Sequence, residues 1–186
     1  MAITILKTAD DKKHYIHFLM DHYSKMILGC SVENSSKPKA IRDLLEQAYL
    51  EHKNKEPIIF VTDGGVENVN STVRYFLDTT NQDIKHLIAQ KDIPFSNSKI
   101  EAFNKIIKHQ FLLPQNLTNS KQLETALVAD VLTYNTIRPQ LSLQGNTPQE
   151  TFLGKLIALK SYKSHFFEHK SLRISDNQQN SCKGCK

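Results

Sequence analysis

Pro57-Ile58-Ile59-Phe60-Val61-Thr62-Asp63-Gly64-Gly65 is an apolar run introduced by a proline and closed by an acid and two glycines. The run is too short for a helix. It fits a buried, central strand of an α/β sheet, and Asp-Gly-Gly is a turn signal at its end. A carboxylate at the carboxyl edge of such a strand stands where α/β proteins place their ligand sites. There Asp63 could bind a hard cation such as Mg²⁺ through oxygen, or serve simply as a turn-forming residue before Gly-Gly.

Working outward, three strand-like segments precede this run, at residues 3–7, 14–20 and 26–32, rich in β-branched and aromatic side chains. The short polar connection DHYSK, residues 21–25, predicts an antiparallel hairpin between the second and third. Ser36 with Pro38 marks a helix start, and Ala40, Leu44, Leu45, Ala48 and Tyr49 share one helical face. Downstream, Ser71 is a candidate cap for a helix carrying Val73, Phe76 and Leu77, and residues 84–89 form another short strand. Ile100, Phe103, Ile106, Ile107 and Phe111 mark an amphipathic helix that Pro114 stops. Residues 120–135 predict a further helix with Leu123, Leu127, Val131 and Leu132 inward. The order β-β-β-α-β-α-β-α-α gives an α/β domain with a mixed sheet.

Glu101 stands in the first turn of the amphipathic helix. Asn97 lies four residues before it, with Lys105 and Lys108 four and seven after, so all four are expected on one face. That face joins a possible metal ligand to two cations suited to a phosphate backbone. As an ordinary solvated face it would hold a Glu101–Lys105 ion pair worth a few tenths of a kcal/mol, roughly.

The 186 residues carry a net charge of +5 and are 39% hydrophobic, a globular composition. The charge is lopsided: residues 1–101 hold 13 basic and 14 acidic side chains, residues 102–186 hold 11 and 5. A basic C-terminal part suggests contact with phosphates. No apolar run approaches a membrane span, and KTADDKK follows the opening ITIL too soon for a secretory signal. Three cysteines are too few for a disulfide framework, which points to a reducing compartment.

VTDGGVEN (61–68), SNSKIEAFNKIIK (96–108) and YNTIRPQLSLQGNTPQETF (134–152) occur in the order seen in DDE-type integrases and transposases. MDHYSKMILGCSV (20–32) resembles that family's second and third strands. In the last of the three segments Tyr134-Asn135, Arg138-Pro139, Leu143 and Thr147-Pro148 match the family signature in sequence and spacing. The chain thus resembles the retroviral-integrase-like core of a bacterial insertion-sequence transposase over about residues 3–153. The resemblance implies a ribonuclease H-like fold, a mixed five-stranded sheet flanked by helices, with three carboxylates holding two Mg²⁺ (or Mn²⁺) ions. Asp63 matches the family's second catalytic Asp and Glu101 its Glu, as catalytic and metal-binding residues. Asn97, Lys105 and Lys108 become candidate DNA-binding residues. The implied reaction is metal-assisted strand cleavage and strand transfer on double-stranded DNA ends and target DNA. A homo-oligomer, no membrane contact and a bacterial cytoplasmic location are expected with it.

The chain departs from the family at the first catalytic Asp, in the first strand shortly before a Thr that Thr4 matches. Ala2 holds that place. Asp10 and Asp11 fall in the following turn, and Asp21 matches a different family Asp. The implied acid set is therefore two instead of three. The chain as it stands is expected to be inactive or severely impaired, which keeps a DNA-binding or assembly module as the alternative.

Glu67 falls in the turn beyond the strand and is read as structural or DNA-facing. Cys182 and Cys185 form a CxxC, half of a zinc site at most. His14, His17 and His22 lack metal-ligand spacing. Residues 1–154 are expected to form the core and 155–186 a basic extension. In the latter Lys155, Lys160, Lys163, Lys170 and Arg173 alternate with Leu156, Ile157, Leu159, Tyr162, Phe166, Phe167 and Leu172, followed by a mobile polar tail from Ser175.

Overall fold

A computed structural model describes residues 1–52, 57–65, 68–80, 84–89, 91–93, 98–155 and 163–179. Strands β1 (Ala2–Lys7), β2 (Lys13–Met20) and β3 (Ile27–Glu33) form an antiparallel meander in that order. Ala2 pairs with Phe18, Leu6 with His14 and Ile16 with Val32, and the register shifts between Leu19 and Met20. β2 is central: Ile16 and Phe18 enter one apolar cluster, and Leu19, of opposite parity, enters another. The β2–β3 turn is closed by Asp21, whose Oδ2 accepts from the Ser24 amide at 2.7 Å and the Ser24 hydroxyl at 2.6 Å.

Strands β4 (Ile58–Thr62) and β5 (Ile84–Ile88) pair in parallel, joined by α2 (Ser71–Thr79). The five expected strands and their mixed directions are present, but in two ladders of three and two instead of one sheet. Just ahead of β1, the Met1 amine donates to the Val61 carbonyl of β4 at 2.9 Å. A cavity of about 320 Å³ opens along this seam, lined by Met1, Leu19, Ile59, Phe60 and Phe152 among others. Nor is β4 wholly buried: Phe60 and Thr62 face inward, while Ile59 is 62% exposed. An unbroken apolar run cannot distinguish a strand covered on both faces from one covered on a single face.

Helix α1 (Pro38–Glu51) starts with Pro38 in its first turn. Lys37 occupies the cap position without a side-chain bond, so Ser36 does not cap it. Its buried face, Ala40, Ile41, Leu44, Leu45 and Ala48, packs with Leu19, Phe60, Val73 and Leu77. Tyr49 is only half-buried. Gly29 lets α1 approach β3, since a Cβ there would meet Leu44 at 3.1 Å. α2 is capped by Asn70, not Ser71: the Asn70 side chain accepts from the Val73 amide at 3.0 Å.

The amphipathic helix predicted up to Pro114 changes character partway. It is α-helical as α3 (Ser98–Ile106), widens to a π turn over Ile107–Leu112, and ends in a 3₁₀ turn over Leu113–Gln115. Its fully buried apolar residues, Ile100, Phe103, Ile107 and Leu112, are three, four and five apart. The widened turn brings the last pair onto the same inward face.

Helix α4 (Ser120–Thr136) buries Leu123, Leu127 and Tyr134 and half-buries Val131. Leu132 is 61% exposed, contrary to expectation, because it stands five residues after Leu127 and well off the inward stripe. A Thr147–Glu150 capping box starts α5 (Pro148–Phe152). Helix α6 (Lys163–Gln179) runs on past Ser175, so the first residues of the polar tail are helical. Leu172 is 60% exposed and Ile174 48%. Two residues apart on a helix, these two side chains do not share one face. Lys170 and Arg173 are exposed. Residues 156–162 and 180–186, with Cys182 and Cys185, lie outside the described residues.

His17, on β2, is fully buried, and neither ring nitrogen has a hydrogen-bond partner among the described residues. Burial pushes its pKa from 6.5 down to about 4, so the fold holds the imidazole neutral. This contribution is complete above the unfolded value of 6.5 and is lost as pH falls toward about 4. Between pH 7 and pH 5 the chain should lose about 2 kcal/mol of stability through this group. Urea melts at both pH values check it. A His17→Leu variant should lose that much less over the same range, and parallel losses in the two proteins would refute the assignment.

Candidate active site

Asp63 directly follows β4 and is exposed. Its Oδ1 accepts from the Gly65 amide at 3.3 Å and from the Asn68 side-chain amide at 2.5 Å. Asn68 is buried, so the carboxylate is braced from below. Its neighbour Thr62 is buried with its hydroxyl 2.8 Å from His86 Nε2. The Met1 amine stands close enough to feel Asp63. Burial pushes that amine down to about 5, against the pull of the Asp63 charge.

Glu101 occupies the first turn of α3 and is exposed. Among the described residues it has no hydrogen bond or ion pair, so the Glu101–Lys105 pair does not form. Helix α3 packs against β1, with Ile100 and Phe103 in one cluster with Ala2. Asp63 is thus near the Met1 amine that precedes β1, and Glu101 is carried on the exposed side of the helix that packs against β1. Lys105 is exposed on α3, and Lys108 is half-buried in the widened turn. Asn97 and Glu67 lie outside the described residues.

The side chain of Ala2 is 5% exposed and shares a cluster with Ile100 and Phe103, the buried face of α3, whereas Glu101 stands on the exposed side of that helix. Among the described residues no group of three or more His, Cys, Asp or Glu side chains is placed to hold a metal ion. Two exposed carboxylates have the right oxygen chemistry for a hard cation, but the donor set does not fit a two-ion site.

Two features escaped sequence reasoning. Asn135 lies within the signature segment, but nothing in that segment assigns it a task. Its Oδ1 accepts from the Ile27 amide at 3.0 Å and its Nδ2 donates to the Ile27 carbonyl at 2.9 Å, tying α4 to the first residue of β3. The second is a group of cations beside α3. Lys99 donates to the His22 carbonyl at 3.1 Å and lies 3.4 Å from His22 Nδ1. Lys25 donates to the Ser142 hydroxyl. Lys25 has a left-handed backbone, φ 61°, which costs an L-residue about 1 kcal/mol and which glycine would adopt freely. The DHYSK turn could have suggested this; separations of 77 and 117 residues in sequence hid the partners.

Residues 1–98 match the sequence model of the integrase core domain, and residues 82–148 match a second integrase core domain model. The ORF3 protein of Spiroplasma virus SpV1-C74, which carries an integrase designation, is 28% identical over 167 residues, 83% of this chain and 46% of that protein. Among solved structures, the HTLV-2 integrase catalytic core domain in complex with magnesium superimposes with a TM-score of 0.61 at 21% identity, over 80% of this chain and 90% of that one. A chain of the simian T-cell lymphotropic virus intasome does so with a TM-score of 0.65 at 18% identity, over 80% of this chain and 51% of that one. The chain spans about half the length of the curated relative and of the intasome chain. The structural likenesses carry the ribonuclease H-like α/β fold. No helix among the described residues is long and apolar enough to cross a membrane. Since the first match alone takes in more than half of its residues, the chain belongs to the integrase core domain family, as a DDE-type integrase or transposase core.

Proposed function

We propose that this chain is the catalytic-core segment of a transposase or integrase that acts on duplex DNA ends and target DNA with Mg²⁺ or Mn²⁺. With alanine at position 2 it engages DNA without efficient strand cleavage and transfer. The observation that best supports this is Asp63, exposed directly after β4, together with Glu101, exposed in the first turn of the helix that packs against β1, whose residue 2 is alanine. Asp63 and Glu101 are the oxygen donors of the site; Lys105, Lys108 and Asn97 belong to its DNA-facing side. Dimeric and trimeric forms of the HTLV-2 core support self-association of this chain by analogy.

Strand-transfer assays on a labelled linear duplex, with Mg²⁺ or Mn²⁺, test the reading. Ala2→Asp should raise product formation at least about tenfold, since even outer-shell partners of a metal site are worth that much. Asp63→Asn in the same background should abolish the gain. A thermal melt of each variant separates lost chemistry from lost fold. Equal rates with and without Asp at position 2 would refute the place assigned to Ala2.

A further inference from the structure

We propose that Lys25 and Lys99 form a phosphodiester clamp at the first turn of α3, gripping a DNA strand. This rests on the DNA-acting function proposed above and adds a binding site to it. The two lysines come from separate elements, the β2–β3 turn and α3. Lys99 is fixed by the His22 carbonyl and Lys25 by the Ser142 hydroxyl. Among the described ion pairs neither lysine has an acidic partner. The nearby Asp21 carboxylate is occupied instead by the Ser24 amide and hydroxyl. The β2–β3 turn brings the two lysines together through the His22 contact of Lys99, and among the described ion pairs neither has a counter-anion. A bridging phosphate supplies one.

The turn also keeps a lysine in a left-handed conformation, with Lys25 N donating to Asp21 O at 2.9 Å. Glycine would fit that backbone without strain, so it is the side chain of Lys25 that the turn retains. Burial and the charge of Lys99 both push the Lys25 ammonium below its ordinary value, in keeping with two cations set near each other. Lys99 stands in the first turn of α3, two residues before Glu101 and on a different side of the helix, so a bound phosphate would lie at the N-terminal end of the helix that carries Glu101.

The phosphate could belong to a DNA end or to the interior of a target duplex. The experiment measures binding of a linear duplex, and of the same duplex closed by hairpins at both ends, by fluorescence anisotropy over a salt series. The unaltered chain is compared with a Lys25→Ala/Lys99→Ala double variant and with a Lys105→Ala/Lys108→Ala double variant. The clamp predicts that the first variant lowers the slope of log affinity against log salt by about 2, with arginine at both positions restoring it. A loss on both duplexes assigns the phosphate to duplex interiors, and a loss on the open duplex alone assigns it to the end. An unchanged slope for the Lys25/Lys99 variant, where the unaltered chain binds and the Lys105/Lys108 variant is weakened, overturns the clamp alone. Absence of salt-dependent binding by the unaltered chain overturns the clamp and the proposed function together.

Discussion

Phe103→Ala is expected to destabilise the fold by about 4 kcal/mol, more than any other single substitution considered for this chain. Phe103 is 1% exposed and stands between two other rings. Its centroid is 4.8 Å from Phe18 at 83° and 4.7 Å from Tyr134 at 71°, both edge-to-face. The three rings come from β2, α3 and α4, so one side chain joins the sheet to two helices. Alanine removes the ring from both aromatic pairs and leaves a cavity that three anchored elements cannot close. Urea unfolding should show the loss as a lower midpoint with a similar slope. Phe103→Leu, which refills most of the volume, should recover roughly half of it. A loss near 1 kcal/mol, roughly, for the alanine variant would mean that the core collapses around the gap, contrary to the packing described.

Asn135→Ala is expected to cost about 3 kcal/mol, for a different reason. The side chain itself is small, but it satisfies both backbone groups of Ile27, in a place where water does not reach. Its removal leaves a buried donor and a buried acceptor unpaired, and an unmade bond costs more than a made one contributes. Volume has little to do with it. Asn135→Leu, close in size and more apolar, should therefore be no better than alanine, and that comparison distinguishes polar satisfaction from packing. A clear advantage for leucine in the same urea assay would sink the interpretation. Asn135 thus serves as a tether inside a signature that otherwise looks functional.

Strand positions were legible because period-two alternation and β-branched runs are local signals: residues 14–20 and 84–89 fall almost on β2 and β5. Helix caps were less so, since Ser36 and Ser71 are good capping types, yet Lys37 and Asn70 hold the positions. Which candidate caps depends on where the chain enters the helix, a tertiary matter. The widening at Ile107 escaped because a π turn is visible only as a spacing of five between buried residues, and burial is not in the sequence. The division of the strands into two ladders escaped for a similar reason, as strand pairing is set by three-dimensional placement. Of the candidate site, the place of Asp63 at the end of an apolar strand was legible, and the structure has it directly after β4. Glu101 was legible only through the company of its motif. Lys25 and Lys99, far apart in sequence, had no local signal to connect them.

The division into two ladders has a dynamic consequence. Asp63 rides on the smaller plate, β4 with β5, while Glu101 rides on α3, packed on the larger one. Backbone amides of the smaller plate should exchange with deuterium sooner than those of β2, because the seam between the plates is bridged by one described hydrogen bond and flanked by a cavity. Any ligand that grips both acids would therefore act as a brace across the two ladders.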